Sequence, residues 1–406
     1  MVGSISFLLA LGWSKATIFL LDLFAKVNRV YKSTTDVPEG TYDIIWRYKV
    51  HSLTGLHNGV HEPLDPYGRP WPEGSGAAKY AGQKVCGGNF GGVVWQLAHD
   101  REYSANELGC PSWQSSSCCT WCPAKRSNYN VREVGPAARF KTVLYQPGDS
   151  DRKVSHHPVW DIPGVTRFTH MGDMMHGGDL GTGLQLHGSS LDHLTRPDGP
   201  YESPGRAGRV RACWSDVQES YVATGVMKRI QTLTPEMIDG KSGYPCLSIK
   251  ASECRHLMRP MLHLLERQLS DSSFDGHIIE AYRSIVEVNE IVTSGGMTLT
   301  DAESTSLLES YDNFLLHSNF LATKAMEGGF CAFNMPCKFH EMRHICNFGK
   351  YTNPRAHWCY SFEDFIGHIK RSGQACVAGT AMHNVPSKMV DNYLRALSLD
   401  LEAWQN

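Results

Sequence analysis

The stretch HPVWDIPGVTRFTHMGDMMHGGDLG holds Asp173 and His176 three positions apart in DMMH, one helical turn on a shared face. A carboxylate and an imidazole so placed can contact a metal ion or a scissile phosphate, and the flanking glycines let backbone or metal come close. The same pair can equally fasten a helix start, His176 bonding Asp173; Asp179 follows one turn later. Upstream, CCTWC sets Cys119 and Cys122 at the CxxC spacing by which a tight turn offers two thiolates to one tetrahedral Zn2+. Two more ligands are needed. Cys110 and Cys118 lie nearby and the chain has 19 histidines, but no second CxxC or HxxxH pair is picked out. A buried reduced pair is the alternative reading, and a redox motif ranks below both because no thioredoxin-like βαβ pattern surrounds it.

Two further acids stand where elements begin or end. In GGVVWQLAHDREY, Val93 to Ala98 reads as a buried strand and Asp100 falls just past its C-terminal end, where parallel sheets gather ligands. An acid there also serves as a turn former or helix cap. In SFEDFIGHIKR, Glu363 lies in the first turn of a helix that Ser361 caps and Asp364 closes as a capping box, a position that the helix dipole alone favours. His156, His157, His170 and His187 lack regular metal spacing. A hydrolytic zinc enzyme would require His170 and His176 to converge on one ion.

The elements that must position these groups change character along the chain. From residue 41 to about 200 the sequence is rich in Gly, Pro, Ser and aromatics, and Asp43 to Val50, Gly92 to Ala98 and Phe140 to Tyr145 read as strands between loops. Beyond RPDGPYESPGRAGR a helical period takes over. Cys254, Leu257, Met258, Met261, Leu262 and Leu265 keep one face, as do Ile278, Ile279, Tyr282, Ile285, Val286 and Val292. A third helix opens with Thr300 and Glu303 as a capping box and turns Leu307, Tyr311, Phe314 and Leu315 inward. More helices are expected from Lys338 to Asn347, from Phe362 to about Arg371 and from Ser387 to Trp404.

Composition sets limits. The 406 residues are 41% hydrophobic, enough for a real core, and the formal charge of −2 excludes a polybasic protein that coats nucleic acid by bulk electrostatics. Local patches remain: Arg206, Arg209 and Arg211, then Lys125 with Arg126, then Lys370 with Arg371, each also readable as a solvated loop or helix end. Thirteen cysteines with one CxxC do not form the dense framework of a small secreted domain, so a nuclear or cytoplasmic, reducing setting is expected. The opening MVGSISFLLALGWSKATIFLLDLF lacks a basic leader, and Lys15 and Asp22 interrupt it, so a helix from about Ser14 to Val27 is expected in place of a signal or a membrane span.

Taken in order, a strand-ending Asp, a CxxC, a DxxH, a long helical stretch and an FE opening a helix that ends in IKR resemble the CACTA (En/Spm-like) class of DDE transposases. KASECRHLMRPML at Lys250 to Leu262 resembles that family's insertion helix. The resemblance, from about Gly91 to Arg371, implies an α/β fold: a ribonuclease H-like mixed sheet core interrupted by a large all-α insertion. It divides the chain into an N-terminal helical segment (1–40), a first part of the core with the CxxC and DxxH motifs (41–200), the insertion (201–349) and C-terminal core helices carrying the acidic motif (350–406). It makes Asp100 the second catalytic acid and Glu363 the last, with Cys119 and Cys122 as the C(2)C pair and Asp173 and His176 as the D(2)H motif. Mg2+ or Mn2+ held by Asp100 and Glu363 would drive DNA cleavage and strand transfer by a two-metal mechanism. DNA, at transposon ends or target, would be the partner, gripped mainly by its phosphates, with homo-oligomers compatible and no membrane involved. One departure is large: no T-D-G context supplies the first acid. Asp43 in YDIIW and Asp65 in LDPYGRPW are the candidates, and their poor match implies truncation or a decayed site. The alternative from another class is a non-catalytic, zinc-stabilised remnant that binds nucleic acid or protein.

Overall fold

The computed structural model describes residues 2–4, 19–21, 40–126 except 86 and 89, 133–146, 157–381 except 241, and single positions between 384 and 395. Among these residues the chain is mostly helical, with four short strands. Val2–Ser4 pairs antiparallel with Phe19–Leu21, and Leu97–Ala98 pairs parallel with His170–Met171. The α/β expectation therefore holds only in the coarse sense of helices around a two-stranded parallel pair. The described part of the helix expected from Ser14 to Val27 is the strand Phe19–Leu21; the remainder lies outside the described residues.

The chain divides into two compact units: residues 1–94, 161–164 and 359–406, and residues 95–160 and 165–358. This division runs across the four segments that the sequence marks out.

In the first unit, the expected strand Asp43 to Val50 is instead part of the helix Thr41–Asn58. Its β-branched and aromatic residues favour a strand locally, but the ends decide otherwise. The Asp43 carboxylate accepts from the Gly40 N–H at 2.7 Å, and Gly59 terminates the helix at φ 72°, a left-handed conformation that glycine adopts without penalty. Asp65 is also consumed. Its carboxylate accepts from the Tyr67 and Arg69 N–H groups at 2.9 and 2.8 Å and pairs with the Arg69 guanidinium, closing a turn. Both candidates for the first acid thus have structural work.

The helix Tyr360–Val377 starts earlier and runs longer than expected. Cys359 takes the cap position, so Ser361 falls inside the first turn and Asp364 just beyond it, with no capping box between them; Glu363 is exposed in that turn. Of the expected Ser387 to Trp404 helix only positions 388–389, 391–392 and 395 are described, all helical.

The second unit is built on helices Arg206–Ala223, Ala251–Gln268, Ser273–Ser294, Asp301–Glu327 and Lys338–Asn347. Leu257, Met261, Leu265, Ile278, Tyr282 and Phe314 are fully buried between them, on the faces that the helical period marks. The caps follow the sequence. Glu253 accepts from the Lys250 N–H at 3.0 Å, and the Thr300 hydroxyl accepts from the Glu303 N–H at 3.2 Å. The expected strand Phe140 to Tyr145 is corrected to a short helix, Arg139–Thr142, which drives Phe140 into the core. Among the described residues, no helix is long and apolar enough to cross a membrane.

Candidate metal centre

The CCTWC loop and the helix Lys338–Asn347 meet inside the second unit. Cys119, Cys122, His340 and His344 are all buried, and one donor atom from each lies within 4.8 Å of every other. Cys122 Sγ is 3.3 Å from His340 Nε2, which is 3.2 Å from His344 Nε2. Tetrahedral zinc with ordinary Zn–S and Zn–N bonds needs donor–donor edges of about 3.3–3.8 Å. The helix explains the two imidazoles: residues four apart lie one turn above each other and present the same nitrogen to the same point. These are the missing ligands. HEMRH is an HxxxH pair, contrary to the expectation that the chain holds none; Cys110 and Cys118 are not in the set.

Burial opposes ionisation of Cys119, yet the hydrogen bond with Cys122 and the fields of His344 and His340 hold its thiol well below the ordinary value. Cys122 is pushed up, by the same shared proton and by burial. Both Nδ1 atoms of His340 and His344 are buried without a hydrogen-bond partner.

The loop is clamped from behind. Arg101 donates to the Thr120 hydroxyl at 2.8 Å and to the Cys118 carbonyl, and Arg167 donates to the Thr120 carbonyl at 3.0 Å. Phe140 packs on His340 with ring centroids 4.4 Å apart, and Trp121 packs on His344 at 5.5 Å. HEMRH also fits the HExxH spacing in which a metalloprotease helix binds zinc and supplies a general base. Here two cysteines would complete the shell, so the donor set suits a closed, structural site.

A second polar cluster lies at the ends of the parallel pair. The register matches Leu97 with His170 and Ala98 with Met171. Asp100 and Asp173 each follow the last paired residue of their strand by two positions, beyond the register itself. Asp100 Oδ1 caps the helix Arg101–Asn106, accepting from the Tyr103 N–H at 2.6 Å. Asp173 accepts from the Met175 and His176 N–H groups at 2.9 and 3.3 Å and pairs with His176 Nδ1. That hydrogen bond raises the His176 pKa against the effect of burial, aided by the charges of Asp173 and Asp100. The structure therefore pairs Asp173 with His176, on which the charge of Asp100 also bears, and Glu363 belongs to the other unit.

His170 Nδ1 bonds His99 Nε2 at 3.0 Å, with its ring 4.5 Å from that of Trp160, so among the described residues it does not join His176 in a donor set. His187 is held between the Tyr282 hydroxyl and the Cys254 carbonyl, the Val159 N–H donates to His157, and His156 lies outside the described residues. Asp179 contributes its carbonyl to the Cys254 thiol at 2.9 Å. Two of the arginines in the expected basic run are also engaged: Arg206 pairs with Asp192 and Asp239, and buried Arg209 donates to the Thr195 and Ser203 carbonyls.

Compared with protein-family models and with curated proteins, the chain matches none of them.

Proposed function

We propose that this is a transposase-derived, DNA-processing protein in which Asp100 and Asp173 are the paired acids of a ribonuclease H-like centre, stapled from below by zinc at Cys119, Cys122, His340 and His344. The observation that carries the reading is the parallel register of Leu97–Ala98 with His170–Met171, since Asp100 and Asp173 each follow their strand by two residues. That is where such sheets place ligands. Two acids so placed suit Mg2+ or Mn2+, which would activate the attacking oxygen and stabilise the leaving one in phosphodiester cleavage and strand transfer. In this reading Asp100 and Asp173 take the places of the first two acids, since Asp43 and Asp65 cap a helix and close a turn. Glu363 keeps its motif but no assigned geometry. The chain's own residues supply orientation: Tyr103 and Met175 N–H groups fix one oxygen of each acid, and His176 holds a proton beside Asp173. DNA as substrate implies work in the nucleus.

The test is nicking of supercoiled DNA with Mg2+ or Mn2+ by the parent, Asp173→Asn and Glu363→Gln. A drop of at least about 100-fold for Asp173→Asn is expected; equal nicking by parent and Asp173→Asn rejects the catalytic reading.

One observation favours a second reading, the non-catalytic zinc-stabilised remnant. Asp100 and Asp173 each already serve as N-terminal hydrogen-bond acceptors for the segments that follow them. A remnant retains DNA in a salt-dependent manner without nicking it.

A further inference from the structure

Away from the centres already described, the helices Ser273–Ser294 and Asp301–Glu327 pack along each other and bring two imidazoles together. His277, in the second turn of the first helix, sets its Nδ1 atom 2.7 Å from Nδ1 of His317 on the second. The ring centroids are 4.9 Å apart with the planes at 52°. Phe320, one turn past His317, stacks on the His277 ring at 3.7 Å and fixes its plane. Both histidines are half-buried, so an edge of the pair is open to solvent. Like nitrogens this close can be joined only by one proton or by one metal ion. Two protonated nitrogens would repel, and two bare ones would set lone pair against lone pair.

We propose that His277 and His317 form a metal site separate from the centre at Cys119 and His340, selective for a tetragonal divalent ion, Cu2+ first and Ni2+ next, over zinc. Imidazole nitrogen bonds such ions at about 2.0 Å. At that length neighbouring donors stand about 2.8 Å apart in a square-planar shell and about 3.3 Å apart in a tetrahedral one. The 2.7 Å between His277 and His317 matches the right-angled edge, whereas the 3.2 Å between His340 and His344 matches the tetrahedral edge. The two histidine pairs therefore sort metals by shape. Cu2+ also stands highest in the general order of affinity of divalent ions for nitrogen donors. With the ion bound, both rings carry their proton on Nε2 and direct the Nδ1 lone pairs to it. They occupy adjacent corners of the square, and water fills the others.

The test uses zinc-loaded protein, with the exposed Cys331 thiol alkylated so that copper does not oxidise it, and Cu2+ as the probe. Calorimetry follows binding, and electron paramagnetic resonance counts the nitrogens on the ion. The tightest Cu2+ site of the parent should show two imidazole nitrogens. His277→Gln and His317→Gln should each weaken that site at least about tenfold while zinc content stays at the parent's level. Bound Cu2+ ties the two helices together, so it should raise the melting midpoint of the parent and of neither variant. Unchanged Cu2+ affinity in either variant, or a single imidazole nitrogen in the parent's spectrum, overturns the proposal. Added Zn2+ held by this pair as tightly as Cu2+ also overturns it, since the selectivity by shape would then be absent.

Discussion

Cys122 Sγ lies 3.3 Å from Nε2 of His340, although 218 residues of chain separate them. With Cys119 and His344 completing the set, the contact makes a long-range cross-link dependent on one ion. Purified protein is expected to carry one equivalent of zinc. Cys122→Ser and His344→Gln should each lower metal affinity at least about 100-fold. Both should melt earlier, and a chelator should bring the parent to the same midpoint. Zinc content equal to the parent's in His344→Gln would remove this residue from the ligand set.

His187 gives the protein a pH dependence of known sign. Burial pushes its pKa down to about 4, and it stays neutral between the Tyr282 hydroxyl and the Cys254 carbonyl. Its unfolded counterpart takes up a proton near 6.5. Between these values the unfolded chain binds the extra proton, so stability falls as pH drops from about 6.5 to 4 and this contribution levels off below. The group accounts for about 3 kcal/mol over that window. Urea denaturation of the parent and His187→Gln at several pH values should show a shallower slope in the variant. Parallel curves would reject the assignment.

Asn353, 1% exposed, finishes the helix Ser273–Ser294. Its amide donates to the carbonyls of Val292, Gly295 and Gly296 at 3.0, 3.3 and 2.8 Å. Asn353→Ala leaves these acceptors without that donor and should cost about 2–3 kcal/mol. Asn353→Asp should cost more, because it turns a carboxylate toward the same oxygens. The urea midpoint of each variant measures the loss.

Thr300→Ala tests the other end of a helix pair. The Thr300 hydroxyl accepts from the Glu303 N–H, and Glu303 returns the contact to the Thr300 N–H at 2.8 Å. Losing this reciprocal cap should cost about 1 kcal/mol, read by denaturation, with zinc content unaltered.

The helical part of the second unit was legible because its signals are local. The apolar period through Leu257 and Met261, the Thr300 cap and the span Lys338 to Asn347 each follow from neighbours within a few residues. Where the sequence misled, a distant or end effect prevailed. The run from Asp43 to Val50 looks like a strand by side-chain type, but Gly40, Asp43 and Gly59 set a helix around it. Cys119 and Cys122 were readable as half of a metal site. His340 and His344 carried the right spacing in plain view, but nothing local says that a loop so far upstream folds against them. Asp100 and Asp173 were both named from the sequence, but that each follows one strand of the same parallel pair by two residues comes only from the pairing.

The span between the two halves of the zinc centre also dictates an order of events. During synthesis the CCTWC loop leaves the ribosome long before HEMRH exists, so the ion cannot be fully gripped until almost all of the second unit has been made. The intervening helices, whose contacts are mainly between consecutive elements, can assemble in that interval. Metal capture is then a late locking event, and a nascent chain arrested before His340 would hold its cysteines exposed to oxidation and to competing ions.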